Sequence, residues 1–275
     1  MEKFEAVEQS IIKKYRKDIW RGFIRGIQEY ELVREGDQIA ACLSGGKDSM
    51  LMAKCLQELQ KYSHTRFNLV FLVMDPGYSP ENRRIIEENA RLLRVPALFF
   101  DTGIYDAVAK VGAGACYLCA RMRRGYLYRK AQELGCNKIA LGHHYDDAVE
   151  TILLSMFYSG EFKTMMPKLK SRNCEGMELI RPLYLVREDA VIAWRDYHRL
   201  RFIRCACRFS ENPDICGGGS KRAEIKAFLR QLRKTDPVIE KNIFRSVENV
   251  HVDAVIGCRE KNIRRHFLDS YDAQT

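Results

Sequence analysis

Apolar side chains near the start of the chain recur at almost every fourth position, with lysine and arginine between them. They are Val7, Ile11, Ile12, Tyr15, Ile19, Phe23 and Ile27. Apolar residues at helical spacing mark one buried face of a helix. We therefore predict an N-terminal helical element over residues 1–35.

Short apolar runs then alternate with amphipathic segments. Four of these runs predict buried strands, and they cover residues 39–43, 67–74, 95–100 and 138–142. Helices are predicted between the strands, and Ser79-Pro80 has the N-cap and first-position residues typical of a helix start. Strands that alternate with helices predict an α/β fold, a parallel sheet with helices on both faces.

The pattern changes after the fourth strand. Residues 163–185 predict a loop and one more strand, and the chain from about residue 187 shows helical faces and basic loops. We predict three parts: an N-terminal helical element at 1–35, a central α/β domain at 36–186, and a helical, basic C-terminal region at 187–275.

The segment Ser44–Ser49, with the sequence Ser-Gly-Gly-Lys-Asp-Ser, follows the first strand and precedes a helix. Two glycines allow a sharp turn and close approach to a ligand. The helix start supplies N–H groups and a positive dipole end, which favour phosphate. Lys47 adds a positive charge. The segment lacks the glycine spacing of a Walker loop. It resembles instead the Ser-Gly-Gly-x-Asp-Ser loop of the PP-loop pyrophosphatases, and this resemblance implies a site for the phosphates of ATP.

Parallel sheets bind ligands beyond the carboxyl ends of their strands. The predicted ATP site collects residues from three such ends: Leu43, Ser44, Gly45, Gly46, Lys47, Asp48, Ser49, Met74, Gly142 and Asp147. The backbone near Met74 would read the adenine edge. Asp48 and Asp147 are candidate Mg²⁺ ligands, although Asp147 equally suits a first-turn acid of a helix. His143 and His144 are expected to support the turn rather than catalysis.

Composition narrows the function classes. A net charge of +10 suits a polyanionic partner such as nucleic acid. The longest apolar run, residues 69–74, is too short to span a membrane, and the first residues lack a signal-peptide pattern. We therefore expect a cytoplasmic protein with no membrane partner.

Ten cysteines are many for a reducing compartment, where a disulfide framework is unexpected. Cys42, Cys55, Cys136 and Cys174 lie singly near apolar segments and are predicted to be structural. Five others are clustered, at Cys116, Cys119, Cys205, Cys207 and Cys216. Clustered thiols indicate structural zinc, an iron–sulfur cluster or a redox disulfide, and the spacing alone leaves these open.

Basic residues follow the first cysteine pair and recur downstream. The candidate contacts to an RNA partner are Arg121, Arg123, Arg124 and Arg204. Further basic segments, including Lys168–Arg172 and Lys221-Arg222, would suit an RNA backbone.

Together these motifs resemble the tRNA 2-thiocytidine synthetase family, TtcA, of the PP-loop ATPases. The resemblance rests on five segments over about residues 15–250: Ser44–Ser49, Cys116–Cys119, Gly142–Thr151, Arg181–Leu183 and Cys205–Cys207. It implies that ATP adenylates the C2 carbonyl of an anticodon-loop cytidine, and that a [4Fe-4S] cluster on three cysteines delivers sulfur. Lys47, Asp48 and Asp147 would then be the catalytic residues.

By match to the family, Cys116 and Cys119 are the first two cluster ligands. The third is Cys207, with Cys205 as the alternative, because this segment is one residue shorter than the family motif and lacks its proline and glycine. The resemblance also implies a sulfur donor, for which a cysteine desulfurase is a candidate, and a homodimer is a further expectation.

Two other classes stay open at this stage. A tRNA 2-thiouridine synthetase shares the loop and the three cysteines but usually carries an N-terminal cysteine cluster, which this chain lacks. A zinc-binding PP-loop ligase, or a zinc-stapled RNA-binding protein, would use the same thiols without a cluster.

Overall fold

The protein is described from a computed structural model, which covers residues 2–108, 111, 115–203, 221–261 and 263–271, without the side chains of residues 115, 116 and 270. Its centre is a six-stranded sheet in the order β3-β2-β1-β4-β6-β5. The strands are β1 Gln38–Leu43, β2 Asn68–Asp75, β3 Ala97–Asp101, β4 Lys138–Ala140, β5 Lys168–Lys170 and β6 Glu178–Ile180. All neighbouring pairs are parallel except β5 and β6.

Ten α-helices are assigned within the described residues. They are α1 Lys3–Ile12, α2 Arg21–Glu29, α3 Lys47–Tyr62, α4 Pro80–Leu92, α5 Ile104–Val108, α6 Ala115–Glu133, α7 Tyr145–Ser159, α8 Glu188–Tyr197, α9 Lys221–Thr235 and α10 Ile239–Ser246. A hairpin of β7 Gly257–Glu260 and β8 Ile263–His266 follows them.

The central strand β1 shows why helices cover both faces of the sheet. Ile39 and Ala41 pack in the core that contains α3, whereas Ala40 and Cys42 pack with Tyr128 of α6. Successive side chains of a strand point to opposite faces, so an all-apolar strand needs cover on both sides. The predicted α/β fold with helices on both faces is confirmed.

The apolar residues of the N-terminal helices are spaced about four apart, and a regular α-helix does not keep such residues on one face. In an α-helix each four-residue step rotates a side chain by about 40° away from its predecessor. A π-helical segment, Arg16–Trp20, lies between α1 and α2, and Tyr15 N–H donates to the Ser10 carbonyl five residues back. This wider turn compensates the rotation. Six of the seven predicted apolar residues are at most 8% exposed, namely Val7, Ile11, Tyr15, Ile19, Phe23 and Ile27, whereas Ile12 is only half-buried.

The structure differs from the sequence prediction in three local respects. Helical structure at the N-terminus ends at Glu29 rather than near residue 35. Residues 163–185 contain two antiparallel strands rather than one. The β7–β8 hairpin was not predicted. The start of α4 is confirmed, since the Ser79 hydroxyl accepts a hydrogen bond from Asn82 N–H at 3.2 Å.

The three predicted parts share one main core. It includes Val7 and Phe23, the sheet residues, and Trp194 and Ile203 from beyond residue 187. Helices α9 and α10 pack on α7, where Tyr145 and Phe244 stack with ring centroids 4.3 Å apart. The division at residues 35 and 186 stays a prediction.

Three of the four cysteines predicted to be structural are buried: Cys42, Cys55 and Cys136. Burial raises the pKa of the Cys42 thiol to about 12 and raises those of Cys55 and Cys136. These thiols are therefore protonated at neutral pH and are poor metal ligands. Cys174 is only half-buried.

No helix in the described ranges is both long and apolar enough to cross a lipid bilayer.

Candidate nucleotide and thiol site

The glycine loop connects the end of β1 to the start of α3. Gly45 has φ +81°, a conformation that favours glycine. A Cβ atom at Gly45 would lie 2.7 Å from side-chain atoms of both Ile86 and Ile203. The turn is therefore held tightly between α4 and the chain that leaves α8.

Two serines fix the loop internally. Ser49 Oγ accepts from Ser44 N–H at 3.1 Å and lies 3.0 Å from the Gly46 carbonyl, to which it donates. Gly46, at the N-cap position of α3, has no side chain to satisfy the N–H groups of the first turn. These N–H groups and the helix dipole remain directed at the space above the loop, the arrangement that binds phosphate.

The turn after β4 packs directly on this loop. A Cβ atom at Gly142 would lie 2.8 Å from Ser49 N and 2.9 Å from Ser49 Cα. Only glycine allows the two backbones to approach this closely. The sequence-predicted residues at the ends of β1 and β4 are therefore in contact.

His144 begins α7 as its N-cap residue. Its Nδ1 accepts from Asp147 N–H at 3.4 Å, and the Asp147 carboxylate accepts from His144 N–H at 3.0 Å. This reciprocal capping confirms the predicted support role of His144. The other oxygen of Asp147 accepts from Arg222 of α9 at 3.1 Å, and Arg222 also donates to Glu150 at 3.0 Å.

Lys47 belongs to a chain of side chains in which positive and negative charges alternate. Its ammonium is 3.1 Å from Asp48 and 3.1 Å from Glu188, the first residue of α8. Glu188 in turn accepts from Lys226 of α9 at 3.2 Å. Burial raises the pKa of the Glu188 carboxyl, but Lys226 and Lys47 outweigh burial and lower it to about 2. Glu188 is therefore ionised and anchors the loop lysine.

Asp48 has an oxygen suited to a cation. Its Oδ1 is buried and accepts no well-aligned hydrogen bond from the described residues, although the Lys47 ammonium lies 3.1 Å from it and His144 Nε2 lies 3.8 Å from it. Buried carboxylate oxygens normally have partners. A divalent cation would satisfy this one.

The end of β2 packs against α6, the helix that carries Cys116 and Cys119. Met74 is 3% exposed and forms an apolar cluster with Ile104 and Val108, on which Cys119 and Met122 of α6 pack. Cys116 lies in the first turn of α6, where the helix dipole favours a thiolate. Its side chain, like residues Arg204, Cys205, Cys207 and Cys216, lies outside the described residues.

The predicted tRNA contacts on α6 are not grouped on the glycine loop. Arg121 and Arg124 are exposed, and Arg123 is half-buried near the Tyr78 hydroxyl. Their role in tRNA binding stays a prediction.

Sequence reasoning missed the acid that pairs with Lys47 and the cations that pair with that acid and with Asp147. Glu188 and Lys226 were not candidates, and Arg222 was considered only for an RNA backbone. No local signal identifies them, because their partners lie 141, 38 and 75 positions away along the chain.

Comparisons with known proteins identify the family of this chain. A family model described as a PP-loop domain matches residues 19–207. Proteins named tRNA-cytidine(32) 2-sulfurtransferase are similar over most of their length. The one from Citrifermentans bemidjiense is 36% identical, covering 82% of this chain and 88% of the relative. The one from Anaeromyxobacter dehalogenans is 35% identical, covering 94% and 87%.

A third relative of the same name, from Alkalilimnicola ehrlichii, is 40% identical and covers 82% of this chain and 70% of its own. Among solved structures, the U34-tRNA thiolase NcsA from Methanococcus maripaludis with its [4Fe-4S] cluster has a TM-score of 0.64 at 21% identity. That match covers 86% of this chain and 81% of NcsA, and it indicates a shared fold. The chain therefore belongs to the PP-loop domain family and, within it, to the group of proteins named tRNA-cytidine(32) 2-sulfurtransferase.

Proposed function

We propose that this protein is an ATP-dependent tRNA sulfurtransferase that converts an anticodon-loop cytidine to 2-thiocytidine. The observation that carries the proposal is the convergence at one sheet edge of the phosphate-binding loop, Asp147 and the face of α6 that carries Cys119. The relatives' printed name supplies the substrate class and the base.

The loop fits the phosphates of ATP. The α3 N-terminus has no side-chain cap, because Gly46 occupies the N-cap position, and close packing at Gly45 and Gly142 fixes the backbone of the loop. Lys47 lies at the mouth of the loop, where its ammonium would stabilise charge on departing pyrophosphate. Leu43 ends β1 and Met74 lies one residue before the end of β2, in the position proposed for the adenine.

A magnesium ion fits the carboxylates at the same edge. Asp48 offers a buried oxygen whose neighbours are the Lys47 ammonium at 3.1 Å and His144 Nε2 at 3.8 Å, and the same His144 caps α7 together with Asp147. Bound there, the ion would neutralise phosphate oxygens. Asp147 would exchange its bond with Arg222 for the metal.

Adenylation makes the substitution at C2 chemically accessible. The cytidine O2 attacks the α-phosphorus of ATP, forming an O–P bond while the bond to pyrophosphate breaks. The C2–O bond then breaks as sulfur bonds to C2, and AMP carries the oxygen away. Lys47 and the loop N–H groups stabilise the charge that develops on the leaving pyrophosphate in the first step.

Cys116, Cys119 and Cys207, with Cys205 as the alternative third ligand, would hold a [4Fe-4S] cluster. Cys119 fits this use because it lies on α6 beside the apolar group of Met74 and Ile104, which limits water at that face. The cluster would supply an open iron that binds the sulfur to be transferred. Ile203, the last described residue before this segment, packs on Gly45, so the chain enters the segment beside the loop.

The remaining partners follow from the same proposal. tRNA would contact the basic face of α6 through Arg121, Arg123 and Arg124, and also Arg204. A cysteine desulfurase is one candidate for the sulfur donor. A cytoplasmic location and a homodimer complete the proposal.

An anaerobic metal assay tests the cluster assignment. We expect about four irons and four sulfides per chain and a broad visible absorbance in the unaltered protein. Cys119→Ala should lose most of the iron, whereas the buried Cys55→Ala should retain it. Stoichiometric zinc without iron in the unaltered protein would contradict the cluster and favour a zinc-binding ligase.

A further inference from the structure

Arg181 is a buried cation that the nucleotide and thiol chemistry leaves without a role. It follows β6 directly, at the carboxyl edge of the sheet, and it is only 9% exposed. Its backbone N–H donates to the Pro167 carbonyl at 2.9 Å, and its Nη1 donates to the Met166 carbonyl. The residue therefore connects β6 to the segment that follows α7.

The other side of the guanidinium is unsatisfied. Arg181 Nε is buried and has no hydrogen-bond partner among the described residues, and no carboxylate among them lies within ion-pair distance. Burying a charge without a partner is costly, and buried arginines are normally paired. The Nε and Nη2 atoms form the edge of the fork that binds two oxygens of one oxyanion.

The surroundings of Arg181 are also rich in donors. His143, from the turn after β4, has a buried Nδ1 with no partner among the described residues. Burial lowers the pKa of Arg181 to about 10, and Arg124 of α6 lowers it further. Tyr184, Tyr128 and Asp147 act in the opposite direction. Burial, with Arg181 next, lowers the pKa of His143 to about 4. The imidazole is therefore neutral at neutral pH, and an anion at this place would relieve the repulsion between Arg181 and Arg124.

We propose that Arg181 is the centre of a phosphate-binding subsite, flanked by His143 and Arg124, adjacent to the glycine loop. The ligand is a phosphate oxyanion, either of the nucleotide or of the tRNA backbone. The assignment rests on the proposed function for the choice of these two ligands. Arg181 binds one oxygen pair and holds the phosphate beside Asp147.

Arg181→Met tests the subsite because methionine fills the space without a charge. We expect the melting temperature of the ligand-free protein to be unchanged or higher, since an unpaired buried charge is removed. Affinity for one of the two ligands should fall 10- to 100-fold, as expected for a charge-assisted bidentate contact. Arg230→Met, at an exposed position of α9, is the matched control and should leave both affinities unchanged.

Two binding measurements distinguish the sources. Equilibrium dialysis with ATP, without tRNA, shows a loss if the nucleotide supplies the phosphate. Binding of an unmodified tRNA transcript across a salt series shows a loss, with a slope reduced by about one, if the tRNA backbone supplies it. Arg181→Lys keeps the charge but not the fork, and it should lose most of the same affinity. This second variant also carries the test if the first does not fold.

Unchanged affinity for both ligands in both variants would overturn the subsite, as would a large loss of stability with intact binding. Neither measurement requires turnover. A protein that binds ATP and tRNA through Arg181 but forms no 2-thiocytidine would contradict the proposed function alone.

Discussion

Gly142→Ala should disable the nucleotide site through a single added methyl group. The new Cβ would lie 2.8 Å from Ser49 N, 2.9 Å from Ser49 Cα and 3.0 Å from the Asp48 carbonyl carbon. All three are backbone atoms at the start of α3, so no flexible side chain can move aside. Restoring ordinary contact requires the β4–α7 turn and α3 to separate by about 0.6 Å.

The expected cost has two parts. Overpacking of this kind lowers the free energy of unfolding by about 1–3 kcal/mol. Displacement of the loop relative to Asp147 should also reduce ATP affinity and AMP formation about 10- to 100-fold, because catalysis depends on sub-ångström placement. Urea unfolding measures the first part, and equilibrium binding of ATP with a pyrophosphate-release assay measures the second.

Gly46→Ala is the matched control for stability in the same loop. Its φ of −85° suits any residue, and its Cβ would meet only the Ser44 hydroxyl oxygen, at 3.5 Å. We expect its stability to change by less than about 0.5 kcal/mol. If Gly142→Ala matched the unaltered protein in stability and ATP affinity, the close contact between the two turns would be refuted.

Three further predictions follow. Asp147→Asn should reduce AMP formation at least about 100-fold in a Mg²⁺ titration, because it removes a proposed metal ligand; unchanged Mg²⁺ dependence would exclude Asp147 as a ligand. The pKa of His143, lowered to about 4 from 6.5 by burial and by Arg181, means that the unfolded chain takes up the proton first. The free energy of unfolding should therefore fall by at most about 3 kcal/mol as pH falls from 6.5 towards 4. In His143→Asn, the free energy from urea unfolding should depend less on pH in this range. An unchanged pH dependence in the variant would show that His143 is not its cause. Ile19→Ala, at a fully buried position of the π-helical segment, should cost about 2–5 kcal/mol, whereas Ile256→Ala, at a 75% exposed position, should cost almost nothing; equal effects would contradict the packing of that segment.

Local patterns in the sequence predicted the parts of the fold that local physics determines. The glycine loop, the Ser79 cap and the His144 turn each depend on residues within a few positions. The alternation of apolar runs and helices was enough to predict a covered parallel sheet. In contrast, β5 is a strand of only 3 residues, Lys168–Lys170, which is too short to show a periodic pattern. Its pairing with β6 was therefore not predictable from periodicity.

Long-range electrostatics account for the rest of the site. Glu188, Lys226 and Arg222 acquire their roles only when α8 and α9 pack beside α3 and α7. The four-residue spacing of the N-terminal apolar residues did contain a signal for the π-helical segment. A repeat of four exceeds the 3.6 residues per turn of an α-helix, so an extended run of it requires a wider turn.

The central claim is ATP-dependent conversion of cytidine to 2-thiocytidine, and nucleoside mass spectrometry tests it most directly. Anaerobically reconstituted protein would be incubated with unmodified tRNA transcript, sulfide, ATP and Mg²⁺, with Lys47→Ala as the inactive control. The account predicts 2-thiocytidine in the digested tRNA, with one AMP formed per modified base, and none without ATP or with the variant. Thiolated uridine in place of cytidine, or cytidine thiolation that proceeds without ATP, would contradict it.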